Sequence, residues 1–160
     1  MYNNEKYKSD YDVAVGMQGE FEELLVEHDV DLVLAGHYHS YLRTSRIYQD
    51  KKDDYGLYHY TIGSAGASLD IIDLYEKDWV ENFSMEFGIG KITVANSTHM
   101  MWEFIENKED GGKGAVTDSA WIVKRERGVP GEGDGGGSKV GLGLASGIAS
   151  GLSGVVTLLQ

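Results

Sequence analysis

Apolar and polar positions change their period several times along this chain. Met17, Phe21, Leu24, Leu25 and His28 recur at helical spacing, with Glu20, Glu22, Glu23 and Glu27 between them. That stripe predicts an amphipathic helix ending near Asp29, its glutamates on the wet side. Residues 1–16 show no clear period and read as a loop. "VDLVLAG" follows, and its consecutive Leu32, Val33 and Leu34 predict a strand covered on both faces. "RIYQDKKDDYG" reads as a solvated turn region, and "LYHYTIGSAGASLD" as a second strand closed by a glycine-containing loop. From Glu76 to Phe87 the pattern is mixed and predicts a short helix or irregular surface. "FGIGKITVAN", "THMMWEFIEN" and "AVTDSAWIVKRE" each alternate, broken at Asn96–Ser97 and at Glu109–Gly112. This predicts an antiparallel meander. A helix feeding a buried strand, then strand after strand, is an α/β fold that ends in a β-meander.

The pattern fails after Arg127. Residues 126–139 include "GVPGEGDGGGSK", a flexible linker by composition. Residues 140–160 carry no charge and repeat GxxxG in register through Gly143, Gly147 and Gly151. Their length suits a membrane-spanning helix, and the glycine spacing suits close helix contact. A cleaved lipid-anchor signal and a continuation of the linker are the competing readings.

Composition narrows the partners. The net charge is −12 and the pI about 4.7, so nucleic acid and anionic membrane surfaces, which need a basic patch, are excluded as partners of the body. An anionic substrate would need local positive charge, such as metal ions. With no cysteine, disulfide frameworks, zinc–thiolate sites and cysteine nucleophiles are excluded. Of 22 glycines, fourteen lie from Gly111 to Gly154, so the excess belongs to the tail and not the body.

The residues most open to chemistry are His37 and His39, just past the buried strand. If that segment stays extended, both imidazoles project to one side, able to bind one member each of a metal pair. The C-terminal end of a strand is where open α/β sheets place their sites. Spacing alone leaves a second reading, two satisfied loop histidines. His28 is expected at a helix C-terminus, His59 in strand packing and His99 in a structural role. Asn82 and Asn96 begin sequons, Asn96 at a strand–strand turn where an acceptor is exposed.

Taken together, these segments resemble a known family. "DLVLAGHYHSYLRT" resembles the final metal-binding motif of the purple acid phosphatases, members of the metallophosphoesterase superfamily. "YTIGSAGA", "EFGIGKITVANSTHMMWEF" and "DSAWIVKR" resemble that family's C-terminal region in order, and "MYNN" resembles the end of an earlier loop. The resemblance runs from Met1 to Arg125. It implies a four-layer α/β/β/α sandwich, of which residues 1–70 are the end of the catalytic domain and 71–125 the family's C-terminal region. It implies that His37 binds a divalent ion (zinc, manganese or iron) and His39 a ferric iron, in a binuclear centre that hydrolyses phosphate monoesters. It also implies an acid phosphatase that is secreted or extracellular. The family's other ligands, two aspartates, a tyrosine, an asparagine and a histidine, lie upstream of any residue present here. Leu42 stands where many relatives carry glutamate. The expectation is therefore the C-terminal part of a longer enzyme, inactive by itself. A non-catalytic β-rich module tethered to a membrane, or a remnant of a truncated gene, is the alternative.

Overall fold

A computed structural model of the protein describes residues 1–2, 8–69, 73–108, 113–125 and 154–158. The predicted linker at 126–139, most of the tail and the acidic hairpin tip at 109–112 lie outside them.

Helix α1 spans Lys8–Glu27 and runs into β1, Val30–Ala35. Then come β2 (Tyr41–Thr44), β3 (Ile47–Tyr48), β4 (Lys51–Lys52), β5 (Tyr58–Ile62) and β6 (Val80–Ser84). Next are β7 (Gly88–Val94), β8 (His99–Glu106), β9 (Ala115–Val123) and β10 (Gly154–Leu158). A mixed sheet is ordered β10-β1-β5-β2-β6, and a second sheet β7-β8-β9 is the expected meander. Strands β10, β1 and β5 run parallel, while β2 is antiparallel to both neighbours.

The period-two rule sorts the core. Val33, Leu42 and Leu57 face one side with Val26, Ile47 and Trp79, against Met17 and Leu25 of α1. Leu32, Tyr41 and Tyr60 face the other side and pack on Trp102, Phe104 and Ile122 of the meander. The described residues thus form three layers: helix, mixed sheet and antiparallel sheet. Each fully buried aliphatic or aromatic side chain here contributes roughly 1.5–3 kcal/mol. In β7 the glycines have a packing reason. A Cβ on Gly90 would sit 2.1 Å from the edge of the Trp102 ring, which occupies the space a side chain would need.

Several expectations need correction. The helix starts at Lys8, so half of the supposed loop is helical. Its buried face is also rotated from the predicted stripe. Phe21 and Leu24 are exposed, while Glu22 is buried at 5% exposure. The reason is polar: the Glu22 carboxylate accepts from the Tyr2 hydroxyl, from Gln18 Nε2 at 3.2 Å and from the Gln49 amide at 3.2 Å. A buried carboxylate met by three donors is tolerated where an unpaired one is not. Finally, the segment read as helix or irregular contains β6, drawn into the sheet by its ladder with β2.

The charged stretch at Arg46–Tyr55 is more ordered than a solvated turn. Gln49 and Asp50 both have positive φ, 50° and 62°, the geometry of a two-residue type I′ hairpin. At the chain's far end, β10 adds to the open edge of β1 in parallel register, Leu32 opposite Val155 and Ala35 opposite Leu158. These tail residues are extended, not helical. Among the described residues, no helix is long and apolar enough to cross a membrane.

Candidate functional site

Because β1 and β5 are parallel neighbours, their C-terminal ends open on the same sheet edge, the edge that carries both predicted ligands. The chain does not stay extended there. Residues 37–40 bend, and the Tyr38 amide donates to the Gly36 carbonyl at 3.0 Å across His37. With His37 at φ 76°, this is a γ-turn of the strained hand. The common projection expected from an extended strand is therefore replaced by a turn that aims each histidine separately. Strain of on the order of 1–3 kcal/mol at such a residue persists only where the surroundings impose it.

Gly63, the first residue after β5, imposes it. A Cβ there would lie 1.8 Å from the Tyr38 carbonyl oxygen, and the Gly63 amide donates to the Ser40 carbonyl at 3.1 Å. The loop after β1 is seated on the bare backbone of the strand beside it. Farther along, the Ser68 carbonyl lies 2.6 Å from His39 Nδ1. A carbonyl accepts only, so Nδ1 carries a proton. Metal-binding histidines commonly hold their other ring nitrogen in this way. Neither Gly63 nor Ser68 was singled out from the sequence. The only available sign was the glycine directly after "YHYTI".

The pair does not make a complete metal site. Among the described residues, no group of three or more histidine, cysteine or acidic side chains is placed to hold an ion. Two imidazoles suit one nitrogen ligand each to iron or zinc, and a binuclear centre needs several ligands per ion. Leu42 is fully buried within the core between α1 and the mixed sheet, a place where an unpaired glutamate would be costly.

The other histidines take structural positions. His28 Nδ1 lies 2.8 Å from the Leu24 carbonyl at the end of α1. His99 contacts the Thr98 hydroxyl at 2.8 Å and packs edge-on to Trp121. His59 is buried at 1% exposure, and burial holds its pKa well below the usual 6.5. Of the sequon asparagines, Asn82 is half-buried within β6. Asn96 is exposed at the β7–β8 turn, where its side-chain oxygen accepts from the Thr98 amide and hydroxyl, both at 2.9 Å.

Comparison with known proteins gives the same direction. The family model described as "Iron/zinc purple acid phosphatase-like protein C" matches residues 56–119. Probable purple acid phosphatase 20 of Arabidopsis thaliana is 36% identical over 126 residues, 76% of this chain and 29% of the relative. The chain belongs to the purple acid phosphatase family. Purple acid phosphatase 18 of the same plant is 34% identical over 109 residues, 66% of this chain and 24% of that one. Purple acid phosphatase PPD1 from yellow lupin (Lupinus luteus) seeds superposes with a TM-score of 0.56 at 27% identity, over 67% of this chain and 19% of its own. The chain thus spans less than a third of the length of each of these three relatives. The family-model span begins after His37 and His39.

Proposed function

We propose that the chain is the C-terminal portion of an acid phosphatase that hydrolyses phosphate monoesters, with His37 a ligand to the divalent ion and His39 a ligand to ferric iron. The observation that carries this reading is the Ser68 carbonyl accepting from His39 Nδ1, the outer contact by which metal-binding histidines are commonly oriented. The strained turn at His37 supports it, because such turns collect where a side chain's direction matters. When bound, a binuclear centre supplies a nucleophile drawn from water and neutralises charge on a transferring phosphoryl group. This chain's own part is positional: β1 and β5 hold the edge, and Gly63 seats the loop. The remaining ligands, and the fourth layer of an α/β/β/α sandwich, belong to the portion of the family that the chain does not span.

The test uses the full chain, titrated with zinc and with ferric iron while histidine NMR signals are followed. p-Nitrophenyl phosphate turnover is assayed alongside. Expected is weak metal uptake that perturbs His37 and His39, disappears in the His37→Ala/His39→Ala variant, and brings no appreciable turnover. Uptake unchanged in that variant would remove both ligand assignments. Turnover abolished by His37→Ala would mean the chain is a complete enzyme. A tethered non-catalytic module, the alternative, needs no metal and predicts no uptake.

Secretion is part of the same proposal. The exposed Asn96 is the better glycan acceptor, and the half-buried Asn82 in β6 the poorer one. After expression through a secretory pathway, Asn96→Gln should lower the mass by one glycan and Asn82→Gln should not. An unglycosylated wild-type product would count against this assignment.

A further inference from the structure

A cavity of about 270 Å³ lies between α1 and the C-terminal half of the mixed sheet. Its walls are hydrocarbon from Val13, Ala14 and Met17 of α1 and Ala35 of β1. Tyr2 and Tyr38 also border it, and β5 contributes His59 and Thr61, two residues apart on one face. The half-exposed Val13 and the exposed His37 mark its mouth.

The two β5 side chains are unusual for a core. His59 and Thr61 are each 1% exposed, and neither His59 ring nitrogen nor Thr61 Oγ1 has a hydrogen-bond partner among the described residues. Buried polar atoms in that state are costly, so a partner is expected in the space they border. A neutral imidazole offers one donor and one acceptor, and a threonine hydroxyl can play either part. One hydroxyl group placed between them bonds one His59 ring nitrogen and Thr61 Oγ1. Water could satisfy the polar end, but the wall opposite, from Val13, Ala14, Met17 and Ala35, is hydrocarbon, where water finds no partners. An apolar cavity of roughly 150 Å³ suffices for a benzene ring, so this one holds a ring with a polar substituent.

Charge excludes the ionic options. Among the described residues, no lysine, arginine, aspartate or glutamate side chain lines the cavity, burial pushes the Met1 amine down to about 6, and an unpaired ion within the space would lose its hydration uncompensated. We infer that the cavity is a binding site for a small uncharged phenol-like molecule, its ring between α1 and β1 and its hydroxyl bonded to His59 and Thr61. The site needs no metal, so it stands or falls apart from the phosphatase reading.

The full chain in EDTA is titrated with phenol and with toluene, binding being read by ligand-observed NMR and by the shift in melting temperature. Phenol is expected to bind about five- to tenfold more tightly than toluene, the effect of about one net hydrogen bond. Thr61→Val, which keeps the shape, should remove most of that preference. Ala14→Leu should abolish binding of both by filling the space, with the native circular dichroism retained. Equal affinity for phenol and toluene would overturn the polar assignment, as would an unchanged preference in Thr61→Val. Binding seen only with added zinc would move the ligand to the histidine edge and overturn the cavity. No binding by a chain with native circular dichroism would mean that the cavity holds water only.

Discussion

Asp118 joins the two sheets, and removing it tests how they are held. Its carboxylate accepts from Arg43 Nε at 2.6 Å and Nη2 at 3.0 Å, and from the Tyr41 hydroxyl at 2.6 Å. Tyr41 in turn accepts from Trp102 Nε1 at 2.8 Å. One carboxylate on β9 therefore fixes β2 and, through Tyr41, β8. The Arg43 and Asp118 side chains are only 15% and 9% exposed, so solvent screens the pair weakly. Deleting one partner of a buried pair costs about 3–5 kcal/mol. Arg43 retains some access to water, which places Asp118→Ala near the lower end, about 3 kcal/mol. At an m-value near 2 kcal/mol/M, the urea midpoint should fall by about 1.5 M. Replacing both partners by apolar residues, Arg43→Met with Asp118→Leu, should recover much of the loss.

The pH dependence gives a second reading of the same pair. Burial pushes the Asp118 pKa up, but the Arg43 and Tyr41 hydrogen bonds outweigh it and hold the group below its ordinary 3.8. A carboxylate whose pKa is depressed on folding stabilises above its unfolded value, and that stability is lost as pH falls through the folded value. The gap between wild type and Asp118→Ala should thus be full at pH 7 and narrow below pH 3.8. A midpoint change under about 0.3 M at pH 7, or a gap that does not narrow in acid, would refute the argument.

Two further outcomes follow from the loop after β1. Gly63→Ala forces a methyl group against the Tyr38 carbonyl and should cost about 1–3 kcal/mol by thermal melting; a neutral effect would mean the loop is not seated on β5. His37→Gly should be about 1 kcal/mol more stable than His37→Ala, because only glycine relaxes at φ 76°. Equal stability of the two variants would remove the strain.

What the sequence revealed depended on how repetitive the signal was. Strands β1, β5, β7, β8 and β9 were legible because their apolar positions alternate or run together, and nothing nearby competes. The face of α1 was not legible. Its stripe through Phe21 and Leu24 is a valid helical pattern, yet the buried face is set by Glu22 and its partners Tyr2 and Gln49, far away in sequence. Strand β6 was missed because its place depends on the ladder to β2, a long-range fact. At the site, residue type and position marked His37 and His39 correctly as belonging to the sheet edge. Their backbone was mistaken, because the turn is fixed by contact with Gly63 on another strand.

The parallel attachment of β10 also bears on the order in which the molecule forms and opens. β1 follows α1 after two residues and precedes β5 by 22, but 118 residues separate it from β10. Contacts of such long sequence separation form late, because chain-closure entropy has to be met before they reward it, and here the reward is a ladder of five residue pairs. The tail strand is then the last to dock and the first to leave, a local opening well below global unfolding. In hydrogen exchange, β1 amides directed toward β10 should lose protection before those directed toward β5. The two edges of a single six-residue strand would thus report two different stabilities.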